Sequence, residues 1–164
     1  MATQELGSSP ESTEPETTMP ETTLPEKSMP EETVTVLVYS DDRTIRERVT
    51  AALGRRPARD VPRVAYVECA TQPAVLESLR RGGVDLVVLD GEAVPSGGLG
   101  LCRQLKDEVY QCPPVLVLTG RPQDDWLAAW SRADAAVPHP LDPVLLADAA
   151  AKLLRTRLAG AAAR

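Results

Sequence analysis

Residues 34–42 read VTVLVYSDD, residues 84–90 read VDLVVLD, and residues 113–120 read PPVLVLTG. Each stretch is a short Val/Leu run that ends in polar residues. The runs have the length and the β-branched content of strands buried on both faces, as parallel strands between two helical layers are. The first ends at the acidic pair Asp41-Asp42, the second at Asp90, and the third at Thr119. In a parallel sheet these ends share one edge, and open α/β folds build their sites on that edge. Three carboxylates and a hydroxyl gathered there point to a divalent-metal and phosphoryl site.

Working outward, strand and helix alternate. The pattern predicts strands at about 34–40, 63–68, 84–89, 114–118 and 135–138. It predicts helices at about 42–55, 72–81, 98–110, 123–132 and 142–158. Helix one carries Ile45, Val49 and Leu53 on one face. Helix two stops at Gly82-Gly83, and helix five opens on Asp142-Pro143, an N-cap followed by proline at the first helical position. The expected fold is (βα)5, a flavodoxin-like three-layer α/β/α sandwich around a five-stranded parallel sheet. Right-handed crossovers place helices on both faces and make strands one and three neighbours. That adjacency is expected to bring Asp41, Asp42 and Asp90 together.

Charge divides the chain in two. Residues 1–32 contain eight Glu and one Lys, a net of −7, and the rest carries 17 basic and 16 acidic groups. The folded part therefore has no basic excess, which argues against nucleic-acid binding. From Pro10 to Pro30 a proline recurs every five residues, in units such as PETTM, PETTL and PEKSM. Such a segment suits neither strand nor helix and is expected to be extended and disordered. Its organisational reading is an acidic tail over 1–32, a folded domain over 33–158, and a disordered C-terminus over 159–164. The tail is either solubilising or a docking strip that offers Met19, Leu24 and Met29. No run reaches the roughly 18 apolar residues of a membrane span, and no signal peptide is evident. Cys69, Cys102 and Cys112 read as reduced thiols of a cytoplasmic protein, with Cys112 the best candidate for a redox-sensing role.

In combination and order, the acidic pair, the lone aspartate, the hydroxyl residue and His139-Pro140 make the chain from about Val34 to Leu158 resemble the receiver domain of bacterial response regulators. Gly98, eight residues after Asp90, falls where that family opens helix three. The resemblance implies that Asp90 accepts a phosphoryl group from a histidine kinase or a phosphotransfer protein. It implies Mg2+ held by Asp41, Asp42, Asp90 and the backbone carbonyl of Glu92. Thr119 would then bond a phosphoryl oxygen and move with it. Physics agrees: two like charges about 4 Å apart cost on the order of 4 kcal/mol at a surface-like dielectric, so clustered carboxylates need a cation or a proton. The plainer role for Asp41 or Asp42 is to cap helix one.

The chain departs from the family in several places. His139 stands where the family carries lysine. Histidine is shorter and mostly uncharged above neutral pH. Ala136 stands where many receivers carry a rotating aromatic. Pro95 falls one place late after Asp90, and the stretch from Thr119 to His139 is two residues short. Helix four instead has Trp126 and Trp130, at i and i+4, two of the five aromatics in the chain. Trp126 is expected to pack on the sheet and Trp130 to contact a partner.

The leading expectation is a stand-alone receiver with no room for an output domain. It is not an enzyme beyond losing its own phosphoryl group, and it acts by binding an unidentified protein through the helix 4 to helix 5 face. The alternative is a degenerate receiver that binds its partner regardless of phosphate. A small Rossmann-like enzyme fits poorly, because SDDRT and not a glycine-rich loop follows strand one.

Overall fold

In the computed structural model the described residues are Gly7 and 31–164. The rest of the proline-rich tail, with the reading made of it, lies outside them. The chain alternates β1 (Thr33–Tyr39), α1 (Arg43–Leu53), β2 (Arg63–Cys69), α2 (Gln72–Arg81), β3 (Leu86–Asp90), α3 (Gly98–Glu108), β4 (Val115–Thr119), α4 (Asp125–Ser131), β5 (Ala135–Pro138) and α5 (Pro143–Ala162). The five strands form one parallel sheet in the order β2-β1-β3-β4-β5.

Period-two alternation sorts the apolar residues into two cores. Val36, Val38, Leu86, Val88, Leu116 and Leu118 face α1 and α5, where Val49, Leu146, Ala150 and Leu154 meet them. Leu37, Tyr39, Val87, Leu89, Val115 and Val117 face the other way, onto Val75 of α2 and Leu101, Cys102 and Leu105 of α3. β3 and β4 are buried along their whole length, which is why they read as unbroken apolar runs. Each fully buried Leu or Val contributes about 1.5–3 kcal/mol relative to exposure. The core is aliphatic, built almost wholly from such contributions.

Local signals set the ends of the elements. Asp42 caps α1, its carboxylate accepting from Thr44 N–H at 2.7 Å. Thr71 caps α2, and Gly82 closes it at φ 77°, a left-handed position that favours glycine. Asp142 caps α5 by accepting from Val144 and Leu145, with Pro143 just inside. Two expectations change. A 3-10 turn at Pro122–Asp124 precedes α4, which is only seven residues long. α5 runs to Ala162, so the stretch expected to be disordered from 159 is mostly helix. The Ala-rich LAGAAAR ending explains this, since alanine is the best helix former and one glycine costs only about 1 kcal/mol.

The strand order reverses between β1 and β3, and such a reversal opens a crevice at the C-terminal edge of the sheet. The ends of β1, β3 and β4 all meet there.

Candidate functional site

Asp90 is the last residue of β3 and is 3% exposed. A buried carboxylate needs partners, and this one has them. Its Oδ2 accepts from the Ser40 hydroxyl at 2.7 Å, and its Oδ1 accepts from Glu92 N–H at 3.0 Å. The Nε2 of His139 stands 3.8 Å from Oδ1. His139 is itself anchored through its backbone N–H, which donates to the Thr119 carbonyl at 2.8 Å. His139, read in the sequence as standing where the family carries lysine, thus lies beside Asp90.

Ser40 was not singled out in the sequence, yet it is fully buried at the centre of the site. Besides donating to Asp90, its Oγ accepts from Asp42 N–H at 3.1 Å, and its carbonyl accepts from Arg46 at 2.6 Å. The available signal was position: Ser40 directly continues the apolar run of β1, so it stays at the sheet edge while the acidic pair moves one residue outward. Both members of that pair are exposed. The Oδ1 of Asp41 accepts from Val94 N–H at 3.1 Å, which ties the loop after β1 to the loop after β3. Asp42 caps α1 through its Oδ1.

Thr119 ends β4, one register step beyond Leu118, which pairs with Asp90. Its side chain is fully buried, and its Oγ1 has no hydrogen-bond partner among the described residues. A buried hydroxyl without a partner costs about 1–3 kcal/mol, so its presence at a sheet edge needs a reason. Beside it, a Cβ on Gly120 would lie 2.6 Å from Glu92 Oε1, so only glycine lets the Glu92 carboxylate rest there. On the other flank, a Cβ on Gly98 would lie 2.4 Å from the Asp90 carbonyl, so this glycine allows α3 to press against the end of β3. Tyr39 completes the edge by donating to the Ser96 carbonyl at 2.7 Å. Burial first, then the charges of Asp41 and Asp90, raise its phenol above the ordinary range.

No three His, Cys, Asp or Glu side chains among the described residues form a cluster that could hold a metal. The expected triad is thus not assembled as a cage. Mg2+ does not require one, because it commonly keeps several waters and takes one or two carboxylates plus phosphate oxygens. The donors at this edge are all hard oxygens: Asp41, the buried Asp90 and the backbone of the β3–α3 loop. That set fits Mg2+, and Asp42, whose cap uses only Oδ1, adds a further hard oxygen.

On α4, Ala128 and Ser131 face inward and Trp130 is exposed, as expected. Trp126 is also exposed, at 65%, contrary to its expected place on the sheet. The small inward residues seat a short helix close to its neighbours and leave both indoles outside. Arg103 of α3 lies over the Trp130 ring at 5.9 Å and donates to its carbonyl at 3.0 Å. Burial pushes the Cys112 thiol up and the Cys102 thiol to about 11, the reverse of what a redox-sensing cysteine needs. Among the described residues no helix is long and apolar enough to cross a membrane.

The fold is that of CheY-like receiver domains. No family model matches the chain. Two uncharacterized response regulatory proteins of Mycobacterium tuberculosis, from strains CDC 1551 / Oshkosh and ATCC 25618 / H37Rv, are each 59% identical over 120 residues, covering 73% of this chain and 90% of theirs. The chain belongs to the response regulators. The chemotaxis response regulator CheY4 of Vibrio cholerae is similar in structure at TM-score 0.61 and 18% identity, over 74% of this chain and 99% of that one. A putative response regulator from Chloroflexus aurantiacus J-10-fl matches at TM-score 0.65 and 20% identity, over 76% and 99%. The BeF3-activated DrrB receiver domain matches at TM-score 0.60 and 22% identity, over 76% and 99%.

Proposed function

We propose that this protein is a cytoplasmic phosphoryl-accepting receiver in a two-component phosphorelay, with Asp90 as the acceptor and a histidine kinase or phosphotransfer protein as the donor. The observation that carries this reading is the buried, unpartnered hydroxyl of Thr119 at the same sheet edge as the buried Asp90 carboxylate. A phosphoryl oxygen is the partner that hydroxyl lacks.

Oδ2 of Asp90 accepts from Ser40 and Oδ1 accepts from Glu92 N–H; Oδ1, the oxygen on the His139 side, keeps a second lone pair with which to attack phosphorus. The new P–O bond forms as the P–N bond of the donor phosphohistidine breaks, and the leaving imidazole takes up a proton. Thr119 then donates to a phosphoryl oxygen, and His139 donates from Nε2 when protonated. Asp41, Asp90 and the Glu92 carbonyl would hold Mg2+, which when bound offsets negative charge on the phosphoryl oxygens. Asp42 would join them through the carboxylate oxygen that its cap leaves unused. Output runs through protein contact at the α4 to α5 face, where Trp126 and Trp130 are exposed, with no nucleic acid and no turnover beyond loss of the phosphoryl group.

The test is incubation with acetyl phosphate, followed by intact-mass measurement. One phosphoryl group per chain is expected, lost in Asp90→Asn and lost with EDTA. Equal labelling of Asp90→Asn would refute the acceptor. A second reading, a receiver that binds its partner without phosphate, is favoured by one feature: both Asp90 oxygens already accept hydrogen bonds. Absence of any labelling, with partner binding equal in wild type and Asp90→Asn, would select it.

A further inference from the structure

The stretch from the outer face of α1 through the following loop to the start of β2 is unusually rich in arginine. Arg48, Arg55, Arg56, Arg59 and Arg63 fall within sixteen residues whose one acid, Asp60, is paired with Arg155 through two bonds at 2.7 and 2.8 Å. Glu31, where the continuously described chain begins, already reaches this face. Its carboxylate bridges Arg56 at 2.9 Å and Arg63 at 2.5 Å. Glu31 and Glu32 line a depression of about 280 Å³ together with Arg56, Arg59 and Pro62. Further along, a second and more apolar groove of about 370 Å³ lies between α1 and the start of α5, lined by Arg48, Ala51, Ala52, Pro140, Leu141 and Pro143.

We propose that the acidic N-terminal segment of this chain docks in cis on this face, with its glutamates along the arginines between Arg48 of α1 and Arg63 of β2 and Leu24 in the groove between α1 and α5. Three observations converge. The charges are complementary, since residues 1–30 carry six Glu and one Lys. The path is continuous, since Glu31 is already seated on the arginines. The reach suffices: the seven residues from Leu24 to Glu31 span about 22 Å in a polyproline-II stretch, and the eleven residues of α1 rise only about 16 Å. The groove offers an apolar floor with an arginine at its rim, and Leu24-Pro25-Glu26 offers an apolar residue followed closely by a carboxylate. Pro140 and Leu141 directly follow His139, so occupancy of the groove bears on the segment that carries His139 to Asp90.

The experiment compares 15N-labelled full-length protein with a full-length variant carrying Glu11→Gln, Glu14→Gln, Glu16→Gln, Glu21→Gln, Glu26→Gln and Leu24→Ser. At low ionic strength the amides of Arg48, Ala51, Ala52, Arg59 and Leu141 should differ between the two. Salt at about 1 M, where the Debye length is about 3 Å, should move the wild-type amides to the variant positions. Arg48→Glu with Arg59→Glu should shift the tail resonances in the same way, which tests the pairing from the other side. Identical α1, Leu141 and Asp142 amides in wild type and variant would overturn the proposal, as would differences confined to residues 31–33. Shifts that grow with protein concentration would also overturn it, because the tail would then be reaching a second copy.

Discussion

Replacing Thr119 by valine exchanges a buried, unpartnered hydroxyl for a methyl group of similar size. In the folded state nothing among the described residues compensates that hydroxyl, while in the unfolded chain water does. The penalty for such a group is about 1–3 kcal/mol. Thr119→Val should therefore stabilise the protein, by about 1–2 kcal/mol once imperfect packing of the new methyl is allowed for. For a domain of this size that is a rise in Tm of about 4–8 °C. Urea and thermal unfolding followed by far-ultraviolet circular dichroism measure it directly. The same variant should lose its NMR response to the phosphoryl mimic beryllofluoride. Thr119→Ser supplies the opposite control: it keeps the hydroxyl, deletes a buried methyl, loses about 1 kcal/mol and retains the response. A destabilisation of about 1 kcal/mol or more in Thr119→Val would mean that the hydroxyl is bonded in the resting state, and the argument from an orphaned donor would fall.

Other outcomes follow from the same geometry. Ser40→Ala removes a charge-assisted bond to a buried carboxylate, and with it the acceptor for Asp42 N–H. It should cost about 1.5–3 kcal/mol in chemical denaturation, and a neutral result would show that water replaces the hydroxyl. His139→Lys should enlarge the beryllofluoride-induced amide shifts, because a longer side chain ending in an ammonium reaches past Asp90 Oδ1 toward the phosphoryl mimic; shifts unchanged from the wild type would reduce His139 to a turn residue. Tyr66, half-buried and donating to the Gly54 carbonyl, has its phenol pushed up to about 12 by burial. Its stabilising contribution is complete below the ordinary tyrosine range near pH 10 and is lost as pH rises through about 12. Alkaline denaturation should show that loss, and Tyr66→Phe should remove it. Cys102, with its thiol near 11, should resist alkylation at pH 8 until the protein unfolds; rapid labelling in the native state would contradict the burial.

The fold was legible because β1, β3 and β4 each advertise double burial and each end in a polar residue. Asp90, Thr119 and His139 were legible for the same reason, since their places are fixed by the ends of strands. What failed to show was what depends on a one-residue offset or on helix rotation. The sequence shows an acidic pair, but β1 ends at Tyr39, so Ser40 and not an aspartate meets Asp90. Trp126 and Trp130 share a stripe on any helix. Which way the stripe faces was set by Ala128 and Ser131, small residues whose inward role no periodicity of large apolar groups reveals. The end of α5 was placed too early because LAGAAAR lacks the apolar period of a packed helix, and alanine propensity carried the helix on without it.

The two indoles on α4 have an optical consequence. They are the only tryptophans of the chain, and both are already wetted in the native state. Intrinsic emission therefore reports a single short helix and is nearly blind to the aliphatic core, which contains no phenylalanine and no tryptophan. A fluorescence melt of this protein should show a red-lying maximum that scarcely moves while circular dichroism collapses. A macromolecule laid across α4 would instead dry the rings, displace Arg103 from the face of Trp130 and draw the emission toward the blue. The molecule thus carries a built-in probe of its outer surface, usable without any label.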